Sequence, residues 1–316
     1  MRIFVTGGTG LIGSALVRRL IAEGDDVTLL IREGANRIRL AGLEAQLREY
    51  GGDIRDDAAV ASAVRQANPE VVFHLASTPF NPPTISSQTH LETIVQGTMN
   101  LVEALKGRLN VRVVAAGSAA AYGSGSRLRE DAPLRPGTVL GAAKAAASLI
   151  LQMAARLYQL QTRELRLFMP YGPAEHPSRL IPHTIASALE GRQIRMTEGR
   201  QQRDVVFLDD VVEAFCLAAT KPVAAGSVFN IGSGVGTPVR TLVARIMDLM
   251  GHPVTPLIGA LPTRSDEIME MSADISAAKT HLSWEPRTSL DEGLRRTIAW
   301  WMEQHTADST QQTAHR

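Results

Sequence analysis

The stretch Ile3-Phe4-Val5-Thr6-Gly7-Gly8-Thr9-Gly10-Leu11-Ile12-Gly13 decides the architecture of this chain. Four strand-forming residues run straight into a loop holding four glycines, and the apolar spacing of residues 11–22 is that of a helix. Two spacings hold at once, Gly7-x-x-Gly10-x-x-Gly13 and Gly8-x-Gly10-x-x-Gly13. Glycine at these points permits a tight turn and lets backbone N–H groups reach a pyrophosphate. At Gly13 it lets the helix pack closely on the strand, while the helix N-terminus faces the anion. Such a loop is a weak signal alone and a specific one at the start of a βαβ series.

Such a series follows. Residues 27–31, 71–75, 111–116 and 163–169 are apolar runs of strand length, and helical patterns occupy 56–66, 90–105 and 141–160. Strands joined by helix-length connections predict an α/β fold, a Rossmann-type doubly wound parallel sheet. After residue 168 the rhythm breaks at Pro170, Pro173, Pro177 and Pro182. We therefore expect a dinucleotide-binding domain over 1–168 and a smaller α/β substrate domain over 169–302. The two are interleaved, because 203–220 reads as a return to the first. Residues 303–316 are polar and are expected to form a flexible tail.

Composition excludes several classes of function. The 316 residues carry 33 Lys+Arg and 32 Asp+Glu, a net charge of +1, with 44% apolar and 21% charged residues. A disordered chain is excluded, and a near-neutral balance offers no field for nucleic acid or anionic lipid. The single cysteine, Cys216, cannot form an internal disulfide. The longest apolar stretch, around 111–122, is too short for a membrane span and contains Gly117 and Ser118. With the first strand starting at Ile3, we expect no leader and a cytoplasmic location. His74, His176 and His183 lack metal-ligand spacing, so no metal is expected.

The end of the second strand bears on the cofactor. An NAD site usually places Asp or Glu there; here the residue is Ile31, followed by Arg32. Arg32, helped by Arg37, is suited to a ribose 2′-phosphate, which favours NADP(H). The alternative is NAD, with Arg32 solvated and Glu33 on the ribose.

With strand, loop and helix placed, the chain resembles the extended short-chain dehydrogenase/reductases of the nucleotide-sugar epimerase/dehydratase group, over nearly everything up to residue 302. The resemblance rests on the glycine loop, Gly52-Asp53-Ile54-Arg55, Phe73-His74-Leu75-Ala76-Ser77, Gly97-Thr98-Met99-Asn100, Gly117-Ser118 through Tyr122-Gly123, Arg203-Asp204-Val205, Phe229-Asn230-Ile231-Gly232 and Trp284-Glu285-Pro286. It implies that Gly7, Gly10, Leu11, Ile12 and Gly13 hold the pyrophosphate and Asp53 and Ile54 the adenine. Leu75, Ala76 and Ser77 would line the cofactor, and Lys144 would bind the nicotinamide ribose. Ser118 would hold the reacting sugar oxygen, while Arg203 and Arg264 would hold the diphosphate of a nucleotide sugar. A homodimer is implied through helices 90–105 and 141–160.

The chain departs from that pattern at the chemistry. The group's Tyr-x-x-x-Lys reads Leu140-x-x-x-Lys144, and the Asp-Glu of its 4,6-dehydratases reads Ala119-Ala120. Loss of a positioned acid or base typically costs about 10²–10⁴ in rate. Ser118, Tyr122 or a water at Lys144 are the candidate substitutes, and for Tyr122 the reading as a structural aromatic beneath the site leads. The leading expectation is an NADP(H)-dependent reductase of a keto nucleotide sugar. The alternatives are an NAD-recycling epimerase or atypical dehydratase, and a catalytically silent cofactor-binding protein.

Overall fold

The apolar runs are buried because their strands lie in the middle of a sheet covered on both faces. The computed structural model describes residues 1–78, 85–264 and 267–314, the side chains of 307–314 excepted. Seven parallel strands form the main sheet: β1 (Arg2–Thr6), β2 (Asp26–Ile31), β3 (Arg48–Gly51), β4 (Val71–His74), β5 (Arg112–Ser118), β6 (Gln161–Leu167) and β7 (Ser227–Ile231). Their order is β7-β6-β5-β4-β1-β2-β3. The winding reverses between β1 and β4, and a crevice opens at such a switch point beyond the strand ends.

Alternation along β1 divides the core. Ile3 and Val5 meet Leu16, Val17 and Leu20 of α1 (Leu11–Ala22), on the face that also takes Val211 and Phe215. Phe4 points to the other face, with Val60 and Val64 of α2 (Asp57–Ala67) and Leu101 and Leu105. The connection after β4 is helical in three parts: α3 (Ser87–His90), a π-helical stretch Leu91–Gln96, and α4 (Gly97–Leu105). Then come α5 (Val139–Tyr158), α6 (Leu180–Leu189), α7 (Leu208–Thr220), α8 (Val239–Leu249) and α9 (Leu290–Ala314). A separate apolar cluster joins Ile181, Ile185, Phe207, Leu242, Ile246, Leu294 and Ile298, from α6, α8, α9 and the strand Val205–Phe207.

Three expectations need correction. β3 was not expected: Arg48-Glu49-Tyr50-Gly51 is a largely exposed edge strand, and such a strand has no apolar run to announce it. β7 lies within the stretch assigned to the smaller domain, yet it pairs from Ser227↔Arg163 to Ile231↔Leu167 on the edge of the main sheet. The expected flexible tail is helical to Ala314, because residues 303–314 contain no Gly or Pro to stop a helix that starts at Leu290.

Candidate functional site

The glycine loop leaves β1 with Gly7 at φ 75°, where a Cβ would lie 2.6 Å from Ala76 N. That close approach puts Leu75 and Ala76, just past β4, against the loop. Gly10 occupies the N-cap of α1 without a side-chain cap, and the first turn has no acidic residue. The leading N–H groups, at Leu11, Ile12 and Gly13, are therefore left for an anion. A loop that a Cβ cannot enter at Gly7 or Gly13, ending on an uncapped helix, fits a dinucleotide pyrophosphate.

A buried hydrogen-bond chain holds the floor of this crevice. Thr98 Oγ1 donates to Ile94 O at 2.5 Å, so it accepts from His74 Nε2 at 3.1 Å. His74 Nδ1 then accepts from Thr6 Oγ1 at 2.8 Å, and Thr6 Oγ1 accepts from Ala76 N at 3.3 Å. The Thr6 link, in which Nδ1 accepts, needs the neutral imidazole. Burial, with a smaller push from Lys144, lowers the His74 pKa to about 3. The unfolded chain therefore binds the extra proton between pH 6.5 and 3, so this contribution to stability is present above 6.5 and lost as pH falls. Between pH 7 and pH 5 the loss should be about 2 kcal/mol. Urea unfolding at both pH values should show His74→Gln losing less than wild type; equal losses would count against this role.

On the adenine side, Asp53 accepts from Arg55 N at 2.9 Å and pairs with Arg55 Nη2 at 2.9 Å. Arg55, with desolvation opposing and Arg32 adding a smaller charge effect, holds the Asp53 carboxyl below its usual range. Ile54 is buried; its carbonyl accepts from Asn100 Nδ2 at 3.0 Å, and a Cβ on Gly97 would crowd its side chain at 2.9 Å. Arg32 and Glu33 are exposed just past β2. Arg37, the expected helper, is instead paired with Glu49 of β3 at 3.1 Å.

The side expected to handle the proton is built by β5 and α5. Thr138 Oγ1 caps α5 by accepting from Gly141 N at 3.0 Å, and a Cβ on Gly141 would strike Ala120 O. The cap fixes Leu140 on the first turn and Lys144 on the second. Lys144 is buried and donates to Ala116 O at 2.8 Å, two residues before Ser118. Desolvation lowers its pKa to about 8, against an opposing effect of Glu164. Ser118 Oγ accepts from Ala120 N at 3.2 Å and remains partly exposed. Leu140 packs with Ile94, Val95, Ala143 and Ala147.

Tyr122 is placed differently from the sequence reading that made it a candidate acid. Its hydroxyl donates to Asn230 Oδ1 at 2.8 Å and accepts from Arg166 Nη1 at 2.8 Å. Burial pushes the phenol up to about 12. A phenol at 2% exposure with both its partners fixed is a structural group.

Arg203 and Arg264 come together, as a phosphate site requires, but with a carboxylate between them. Arg203 Nη2 pairs with Glu267 Oε1, and Arg264 Nη2 with Glu267 Oε2 at 3.3 Å. Arg203 Nη1 also donates to Ile268 O at 2.6 Å. Ser265 and Asp266 lie outside the described residues. Asp209 and Asp210, a few positions further along the chain, are engaged elsewhere: Asp209 pairs with Arg296, and Asp210 accepts from Arg287 N and Thr288 N at 3.0 and 3.1 Å.

Sequence reasoning missed Glu267, the Thr6–His74–Thr98 chain and the buried Glu164. Only Glu267 carried a signal, its position three residues after Arg264. Among the described residues no group of three His, Cys, Asp or Glu could hold a metal ion, and no helix is long and apolar enough to cross a membrane.

Comparison with known proteins agrees with this geometry. The family described as the NAD dependent epimerase/dehydratase family matches residues 3–232. A UDP-glucose 4-epimerase of Mycolicibacterium smegmatis is 32% identical, over 95% of this chain and 98% of that one. A dTDP-glucose 4,6-dehydratase of Haemophilus influenzae is 28% identical, over 96% and 98%. Among solved structures, the UDP-glucose 4-epimerase of Thermotoga maritima with UDP-glucose superposes with a TM-score of 0.89 at 29% identity, covering 96% of this chain and 99% of that one. The dTDP-glucose 4,6-dehydratase of Streptomyces venezuelae, solved with NAD bound, does so with 0.86 at 31%, covering 96% and 97%. With its glycine loop, seven-stranded parallel sheet and switch-point crevice, the chain belongs to the NAD dependent epimerase/dehydratase family of extended short-chain dehydrogenase/reductases.

Proposed function

We propose that the protein is an NADP(H)-dependent oxidoreductase that reduces the carbonyl of a keto nucleotide sugar. The observation that carries this reading is Ser118 and Lys144 at the end of β5 with a leucine on the first turn of α5. Starting an oxidation requires a base to take the alcohol proton, and finishing a reduction requires that an alkoxide be protonated. Both directions share one transition state and are slowed alike by Leu140, but a hydride-recycling enzyme must cross it twice in each turnover and a reductase only once. When bound, the nicotinamide supplies the hydride. Lys144 fixes the ribose, and Ser118 Oγ donates to the carbonyl oxygen. Ala119 and Ala120 provide no acid or base for eliminating water.

The likeness to 4-epimerases over nearly the whole chain favours a second reading, in which the protein keeps NAD bound and recycles the hydride. Identifying the nucleotide that co-purifies separates the two. Exchangeable NADPH supports the first, and tightly held NAD+ would discard it in favour of the second. Bound cofactor with no turnover of any keto nucleotide sugar would leave the silent cofactor-binding alternative.

Arg32 supports the choice of NADP(H). A charge-assisted bond to the 2′-phosphate is worth about 1.5–3 kcal/mol, roughly tenfold to a hundredfold in affinity. Arg32→Ala should lose that preference for NADPH over NADH in a fluorescence titration. Equal affinities in the wild type would end the idea.

Arg203 and Arg264 support a diphosphate-bearing substrate, with Glu267 in the place an incoming phosphate would take. Arg203→Ala should weaken nucleoside diphosphates by about tenfold or more while leaving the dinucleotide unaffected. Calorimetry with UDP, dTDP, GDP and CDP would also rank the base, and no binding at millimolar concentration would exclude the substrate class. A cytoplasmic homodimer belongs to the same proposal. Leu149 and Leu157 of α5 are 56% and 70% exposed, and Ala142 lies on the surface. Sedimentation as a monomer would refute the dimer.

A further inference from the structure

Lys144 is a buried ammonium with three N–H donors, and the described residues provide one acceptor, Ala116 O. Its other neighbours in a small internal cavity include Ala147 and Leu151, which offset none of the cost of burying a charge. The same cavity is lined by one carboxylate, Glu164 of β6. That carboxylate is 3% exposed and firmly held. Ser148, one turn after Lys144 on α5, donates to Oε2, and Arg166 Nε lies 3.5 Å from Oε1. Arg166 Nη2 also donates to Ser148 Oγ at 3.0 Å. The strand before Ser118 yields space for the group: a Cβ on Gly117 would lie 2.8 Å from Glu164 Cγ and overlap its carboxylate.

The charges around Lys144 can be taken element by element. β4 presents His74, which is neutral, and α4 presents Thr98. β5 presents a backbone carbonyl. Glu164, with Arg166 beyond it, is what β6 contributes. Burial raises the pKa of Glu164 and lowers that of Lys144; against it, Arg166, Ser148 and Lys144 favour the carboxylate, and Glu164 favours the ammonium.

We propose that Glu164 is a positioning residue for Lys144: a buried counter-charge, braced by Ser148 and Arg166, that holds the ammonium at the end of β5. The proposal rests on the reading that Lys144 serves the cofactor. Without a phenol at position 140 to share the site, the counter-charge is what keeps Lys144 protonated where it must donate to the ribose. Glu164, Ser148 and Gly117 thus act as one unit, since the carboxylate fits only beside a glycine and takes a hydrogen bond from Ser148.

The chain has four lysines, Lys106, Lys144, Lys221 and Lys279, so ¹³Cε-lysine NMR can follow Lys144 by itself. In Glu164→Gln the Lys144 titration should move down by about one unit or more. Because that variant leaves Arg166 buried without its partner, Glu164→Gln/Arg166→Met, which removes the pair together, is the companion and should move in the same direction. An unchanged or higher Lys144 titration in either folded variant overturns the proposal. Dinucleotide binding in the same samples tests the cofactor reading separately: unimpaired binding by Lys144→Ala would refute that reading and leave the Glu164–Lys144 coupling standing.

Discussion

Gly13→Ala should abolish dinucleotide binding, with a loss of at least about a hundredfold, or some 2.7 kcal/mol. A methyl at this position would overlap Gly7 O and sit 2.8 Å from Gly8 Cα. Both obstacles are backbone, so no side chain can rotate away. Relief requires α1 to slide off β1, and Leu16, Val17 and Leu20 are packed too tightly with Ile3 and Val5 for a free slide. The N–H groups of the first turn would move with the helix, and the anion site with them. Gly51→Ala is the control: nothing lies within 4 Å of its Cβ, and its φ is not positive. Calorimetry with NADPH and NADH would measure both variants. Binding by Gly13→Ala within a few-fold of wild type would refute this account of the loop.

Ser118→Ala should lower turnover by about 10²–10⁴, because the serine is the group left to donate to the carbonyl oxygen at the moment it gains charge. Lys144→Ala should act through the cofactor, raising the concentration needed for half-saturation. Tyr122→Phe should separate the two roles once proposed for that phenol. Losing its bonds to Asn230 and Arg166 should cost about 1–3 kcal/mol of stability, with turnover of the folded protein nearly unchanged. A collapse of turnover in Tyr122→Phe without loss of stability would restore it as the acid. Leu140→Tyr should retain activity, and gain some if the new hydroxyl reaches the carbonyl. Stopped-flow oxidation of NADPH with a 4-keto-6-deoxy nucleotide sugar is the assay. No turnover with any such ketone would sink the reductase reading.

Much of the site was legible in the primary structure where its residues are neighbours. Gly7 to Gly13 is a single turn and one helix start, and its spacing is its geometry. Leu140 and Lys144 are four apart on one helix, so their relation survives any packing. Arg203 and Arg264 were placed together only through the resemblance, and Glu267 between them shows why spacing alone was insufficient. The carboxylate would compete with a phosphate for the same guanidinium groups, and its pairing with both exists only once the two segments meet. Tyr122 could be read as acid or as aromatic prop. Asn230, 108 positions away, settles its hydroxyl by accepting from it.

By itself, the sequence determined the parallel α/β sheet, the glycine loop before the first helix and a leucine four residues before Lys144. Each is a local pattern: a period of two or 3.6, a glycine spacing, one side chain at a helix position. The tertiary structure alone decided that β7 closes the sheet edge and that Arg37 is taken by Glu49. It also placed Glu164 and Lys144 on one small cavity. These outcomes depend on contacts between segments remote in the chain. A buried charge has no sequence signature until the fold removes its water and shows which opposite charge replaces it.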